Sequence, residues 1–247
     1  MLSPNEKLTE KKRLATLPLL ERPRTVRLKF QKVGSLQYIS HLDLQRTFYR
    51  VLTRACLPLW YTKGFNPHAK MVFSTPLSVG AQSIYEFLDI RIDREFPCEE
   101  IMARLNRELT DELRILDAYV PINDFSEIAW ASYTVQIHSF DLNEEKVQGI
   151  CRTLTTSPLM LTKKTKSGEK EIDVVPLIHS VSAELEAKTQ TMTLSVVLRA
   201  TTGEYLNPEL LITGLKEKTG ILSGDPMVEW YSILRTAIMK EDFSLFT

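Results

Sequence analysis

Apolar residues recur along this chain with two periods, and the switches between them predict its elements. From Arg24 onward, Val26, Leu28 and Phe30 alternate with Arg27, Lys29 and Gln31, the two-residue period of a half-buried strand. That strand is expected to show one apolar face and one basic face. Ser40 then caps a helix, with Asp43 three residues on in a Ser-x-x-Asp box. Leu44, Phe48, Val51, Leu52 and Ala55 supply the buried stripe of that helix, while Arg46, Arg50 and Arg54 recur at i+4 on another face. A short strand is expected from Cys56 to Tyr61, and a loop around Gly64 and Asn66-Pro67, where proline stiffens the backbone. Strands over Met71 to Ser74 and Tyr85 to Ile92, a helix over Glu99 to Leu109 and a strand over Leu113 to Val120 complete a split βαβ pattern.

The rest of the chain repeats that order of elements with little residue-level repetition. Trp130 to Phe140 alternates as a strand, and Asp141 with Glu144 forms a capping box for a helix through Leu154. Leu159 to Lys163 reads as a short strand, followed by a Lys-rich turn at Ser167-Gly168. Ile178 to Leu185 and Thr191 to Ala200 pair as strands, Asn207-Pro208-Glu209 starts a helix, and Val228 to Met239 closes the pattern. The expectation is an α+β protein of two tandem ferredoxin-like (βαββαβ) halves with antiparallel sheets. Residues 1–22 read as a charged tail with at most one helical turn near Leu14 to Leu20. Residues 23–125 then form the first half and 126–247 the second.

Charge alters this picture more than composition does. The 247 residues carry equal numbers of acids and bases, and their composition is that of an ordinary soluble protein. The balance is uneven along the chain. Residues 22–70 hold ten Lys/Arg and a single acid, Asp43, whereas residues 81–130 hold five Arg and twelve Asp/Glu. The basic stretch also gathers His41, Asp43, Asn66, His68 and Lys70, with Tyr38, Tyr61, Lys63 and Phe65 among them. An anion-attracting surface is expected there.

Several classes of function are disfavoured. No apolar run approaches the roughly 20 residues of a membrane span, and the N-terminal stretch lacks the apolar core of a signal peptide. Cys56, Cys98 and Cys151 are isolated, which suits a reducing cytoplasm and offers neither a zinc spacing nor a disulfide framework. A metal held by His41, Asp43 and His68 matches no ligand signature. There is no Gly-x-Ser-x-Gly elbow, no phosphate-binding Gly-rich loop and no dinucleotide fingerprint. No membrane partner, cofactor, metal or DNA specificity is expected.

The run Leu28-Lys29-Phe30-x-Lys32-x-Gly34-x-Leu36-x-Tyr38-Ile39-Ser40-His41-Leu42-Asp43-Leu44, followed by Gly64-Phe65-Asn66-Pro67-His68-x-Lys70, resembles the bacterial radical-SAM-linked proteins catalogued as DUF2344. Pro76-Leu77-x-Val79-Gly80, Glu86-x-Leu88-Asp89-Ile90 and Gly203-x-x-x-Asn207-Pro208-Glu209 extend the likeness. It implies a radical-SAM protein as partner and a setting near RNA-processing genes. This chain departs from longer members in lacking a cluster-binding Cys run, so it is expected to hold no iron–sulfur cluster itself. Ala69 stands where proline is expected.

Three readings stay open. An RNA-binding or substrate-binding accessory module would use Arg27, Lys29, Arg46, Arg50, Arg54 and Lys63 for phosphates and Tyr38, Tyr61 and Phe65 for bases, with Ser40, Asp43, Asn66 and Glu86 completing the site. A protein adaptor would bridge partners through its basic and acidic segments. A metal-independent RNA-cleaving or modifying enzyme would use His41 or His68 as acid/base, with Lys70 stabilising charge.

Overall fold

The computed structural model describes residues 4–140, 142–156, 158–165 and 168–247. It is a mixed α/β protein that divides into two compact units, the second formed by Gly80–Gln82 and Ser126–Phe246 and the first by the remainder.

The first unit contains α1 (Pro4–Thr16), β1 (Leu19–Lys32), α2 (His41–Arg54), β2 (Met71–Phe73), β3 (Ala81–Arg94), α3 (Cys98–Asn106) and β4 (Leu113–Tyr119). Its strands lie in the order β4-β1-β3-β2, and each pairing is antiparallel. Val26, Leu28 and Phe30 of β1 and Leu88, Ile90 and Ile92 of β3 are fully buried, as the two-residue period requires. Leu44, Phe48, Val51 and Leu52 of α2 and Ile101 and Leu105 of α3 join the same apolar cluster.

Two expectations are corrected here. The N-terminal segment is a helix rather than a tail. Leu14 is buried, Glu10 pairs with Arg104 at 2.5 Å, and Arg13 pairs with Glu100 at 2.8 Å, so tertiary partners hold a segment that has no strong period of its own. Cys56 to Tyr61 is not a strand. Pro58 has no N–H to donate and Cys56 sits at φ 50°, which leaves single bridges at Leu59↔Ile92 and Tyr61↔Ala69.

The second unit contains β5 (Trp130–His138), α4 (Glu144–Thr155), β6 (Met160–Thr165), β7 (Gly168–Asp173), β8 (Ile178–Glu186), β9 (Thr191–Arg199), α5 (Pro208–Thr219) and β10 (Trp230–Met239). Its sheet runs β10-β5-β9-β8, again antiparallel throughout, while β6 and β7 form a separate hairpin. The hairpin lies against α5, where a Cβ on Gly214 would stand 2.5 Å from Leu161. The cap of α4 is Asn143, whose side chain accepts from the Lys146 N–H at 2.9 Å. The expected cap Asp141 and the turn residue Ser167 lie outside the described residues. At α5 the Asn207 side chain accepts from the Glu209 N–H with Pro208 at the first helical position, as the sequence suggests. No helix among the described residues is long and apolar enough to cross a membrane.

Candidate functional site

The N-terminus of α2 is built by the expected box. The Ser40 side chain accepts from the Asp43 N–H at 3.1 Å, and its hydroxyl donates to Asp43 Oδ2 at 2.7 Å. The Ser40 hydroxyl, and Arg46 at 3.2 Å, hold the Asp43 pKa below the usual carboxylate range. His41, in the first turn, sets its ring edge-on to Phe73 at 5.1 Å, with Nε2 2.9 Å from Gln45 Nε2. Beside it lies a recess of about 10 Å³, room for one water, lined by Lys32, Ser40, His41, Phe73, Thr75 and Glu86.

Lys32 and Glu86 are both buried there, on the helix-facing side of the sheet. Burial of Lys and Glu is rare unless they are paired. The Lys32 ammonium donates to the Gln37 carbonyl at 3.3 Å. Glu86 is an expected site residue, whereas Lys32 is expected only as one of the family-like positions. The signal is present all the same, because Lys32 is in phase with Val26, Leu28 and Phe30 rather than with Arg27 and Lys29.

The Asn-Pro-His loop is the far end of a small hairpin. Tyr61 bridges Ala69, and the Thr62 N–H donates to the His68 carbonyl at 2.9 Å. The His68 N–H donates to Thr62 Oγ1 at 3.2 Å, and His68 Nδ1 lies 3.1 Å from Thr62 Oγ1 and 3.2 Å from the Asn66 carbonyl. The imidazole is therefore engaged in holding its own loop. Lys63, Gly64, Phe65, Asn66 and Pro67 are all exposed at the tip, and Phe65 has no cover at all, at 113% relative exposure. Burial and the nearby Tyr49 of α2 raise the pKa of Tyr61. No hydrogen bond, ion pair or ring contact joins His41 to His68 among the described residues.

The cations sort into two groups. Arg27 is 1% exposed, so it is no surface residue. Its guanidinium grips Asp89 with two hydrogen bonds of 2.8 and 2.9 Å, donates to Asn123 Oδ1 at 2.6 Å, and stacks 4.2 Å from the Phe125 ring. Lys29 sits 3.7 Å over the Tyr85 ring, and burial lowers its pKa. The expected basic face of β1 is thus consumed within the unit, a correction whose cause is the acids and rings opposite it on β3. The ridge on α2 is also partly neutralised. Arg46 meets Asp43, and Arg54 meets the buried carboxylate of Glu108 at 2.9 Å. Arg50, Lys63 and Lys70 make no ion pair or side-chain hydrogen bond among the described residues and remain exposed, with Tyr38 and Tyr61 also exposed nearby in sequence.

The model of a family described as "Uncharacterized protein conserved in bacteria (DUF2344)" matches residues 25–208. No curated protein matches the chain. Among solved structures, a Cbf5-Nop10-Gar1 complex aligns with a TM-score of 0.46 at 12% identity, covering 88% of this chain and 50% of that one, so this chain spans half its length. A heme-bound variant of DypB from Rhodococcus jostii RHA1 aligns with a TM-score of 0.21 at 11% identity, over 88% of this chain and 94% of that one.

Proposed function

The chain belongs to the bacterial family DUF2344, and on that premise we propose that it is an accessory module that binds RNA and works beside a radical-SAM enzyme or RNA-processing machinery. The RNA-binding surface is the outer face of α2 together with the Tyr61–Ala69 hairpin. One observation carries this reading. Among the cations of α2 and its hairpin, Arg46 and Arg54 are paired internally while Arg50, Lys63 and Lys70 are exposed and make no ion pair or side-chain hydrogen bond among the described residues, and the same stretch of chain exposes Tyr38, Tyr61 and Phe65. Unpaired cations track phosphates and exposed rings stack on unpaired bases, which is the chemistry of single-strand binding.

The scaffold in this proposal is a pair of ferredoxin-like halves. The orders β4-β1-β3-β2 and β10-β5-β9-β8 support it, each being the strand order of a split βαβ unit, with β6 and β7 inserted in the second. The partner half of the proposal rests on the family resemblance alone. An adaptor reading draws on Phe65, a fully exposed apolar ring suited to a partner's pocket. Its acidic surface is depleted, since Asp89, Glu100 and Glu108 are spent on Arg27, Arg104 and Arg54. Cleavage by His41 and His68 has less support, because the two rings share no contact among the described residues and His68 is tied to its loop.

The test is isolation of the tagged protein from its native cell under low salt, with nucleic acid and polypeptides identified together. RNA retained by the wild type and lost in Arg50→Ala/Lys63→Ala/Lys70→Ala supports the module. A radical-SAM polypeptide recovered without RNA supports the adaptor instead.

A further inference from the structure

The recess at the start of α2 has opposite charges in its lining. Lys32 is 3% exposed and Glu86 6%, and both line it. Glu86 lies opposite Phe30 in the pairing of β1 with β3, which sets it on the face that carries the buried Leu88 and Ile90. The turn Gly34–Tyr38 folds back toward Lys32, whose ammonium donates to the Gln37 carbonyl at 3.3 Å. Burial falls off toward solvent. Lys32 and Glu86 are buried, Ser40 and Thr75 partly so, and His41 is exposed, which makes a mouth at His41 and a charged floor.

This lining restricts what can enter. With room for about one water, the recess excludes a base or a phosphate group. The Lys32 ammonium opposes a cation, and no three His, Cys, Asp or Glu side chains gather as metal ligands among the described residues. The Glu86 carboxylate opposes an anion. An apolar group would give these polar side chains no hydrogen bond. What remains is a small neutral group that donates to Glu86 and accepts from Lys32 or Thr75, and a hydroxyl does both.

We propose that the recess seats a ribose 2′-hydroxyl of a strand bound along α2, so that this site tells RNA from DNA. The proposal rests on the RNA-binding reading above and names the kind of nucleic acid that surface selects. The neighbours suit it. Tyr38 is 69% exposed at the end of the turn beside Lys32, where it offers a ring to the adjoining base. Arg50 follows His41 on α2 at about 14 Å along the helix axis, within reach of the same strand.

The experiment titrates the full chain with labelled oligouridylate, oligodeoxyuridylate and 2′-O-methyl-oligouridylate of equal length, so that only the 2′ position differs. Oligouridylate should bind about five- to hundred-fold more tightly than the deoxy strand, the range for leaving buried polar groups without their hydrogen bond. The 2′-O-methyl strand should bind as weakly as the deoxy one, because the added methyl exceeds the space. Thr75→Val and Glu86→Gln keep the side-chain shape while removing a donor and an acceptor, and each should narrow the ratio of RNA to deoxy affinity. Where a variant does not fold, the three strands compared on the wild type decide. Equal affinity for RNA and the deoxy strand means that the recess holds a structural water only. That result overturns this inference and leaves the α2 surface standing. Tight binding of the 2′-O-methyl strand, or a ratio unchanged in both folded variants, does the same. No binding of any strand overturns both readings.

Discussion

Replacing Arg27 by Met separates a structural cation from a ligand-binding one. The guanidinium is buried and holds Asp89 through two hydrogen bonds, with Asn123 and Phe125 completing its surroundings. Methionine fills much of the same volume but leaves the Asp89 carboxylate, 16% exposed, without its partner. Breaking a buried pair from one side costs about 3–5 kcal/mol, mostly the penalty of the stranded charge. For a chain of this size that is a fall in Tm of about 6–20 °C. Thermal unfolding followed by circular dichroism reads it. The double variant Arg27→Met/Asp89→Leu should recover much of the loss, because neither charge remains. If Arg27→Met melts with the wild type yet loses RNA affinity, Arg27 is a binding residue and the burial argument is wrong.

Two further perturbations test the second unit. Gly214→Val should destabilise by about 1–3 kcal/mol through overpacking, since its new Cβ meets Leu161 at 2.5 Å, and a denaturant midpoint measures it. The Glu229 carboxyl is held below its usual range by the Ser139 hydroxyl and by the Gly224 and Phe140 N–H groups. A depressed carboxyl contributes stability above its unfolded pKa, about 4.5, and loses it as pH falls through the folded value. Glu229→Gln should therefore melt below the wild type at pH 7, with the gap narrowing as pH falls below about 4; a gap constant with pH would contradict the assignment.

The sequence is legible where one local rule is enough. The alternation in β1, the Ser40 box and the Asn207-Pro208 start each depend on neighbours within four residues, and each is where the pattern puts it. It misleads where the partner lies far along the chain. Arg27 and Lys29 read as a basic surface because Asp89 and Tyr85 sit about sixty residues away. Helix α1 escapes the periodicity because its support comes from Glu100 and Arg104. The candidate site divides in the same way. His41 stands at a helix start as expected, but the buried Lys32 and Glu86 beside it depend on the register of β1 against β3. His68 looks chemical in sequence, and its contacts give it a loop-holding role.

If the unpaired cations of α2 and its hairpin bind phosphates, they set the salt dependence of RNA affinity. Anisotropy of a labelled single-stranded RNA, measured against the wild type and Arg50→Ala/Lys63→Ala/Lys70→Ala over a range of salt, tests it most directly. Each phosphate neutralised on a single strand contributes about 0.7 to the slope of log affinity against log salt. The slope should be shallower by about 2 in the triple variant. A slope identical in both proteins, or wild-type binding indifferent to salt, would contradict it.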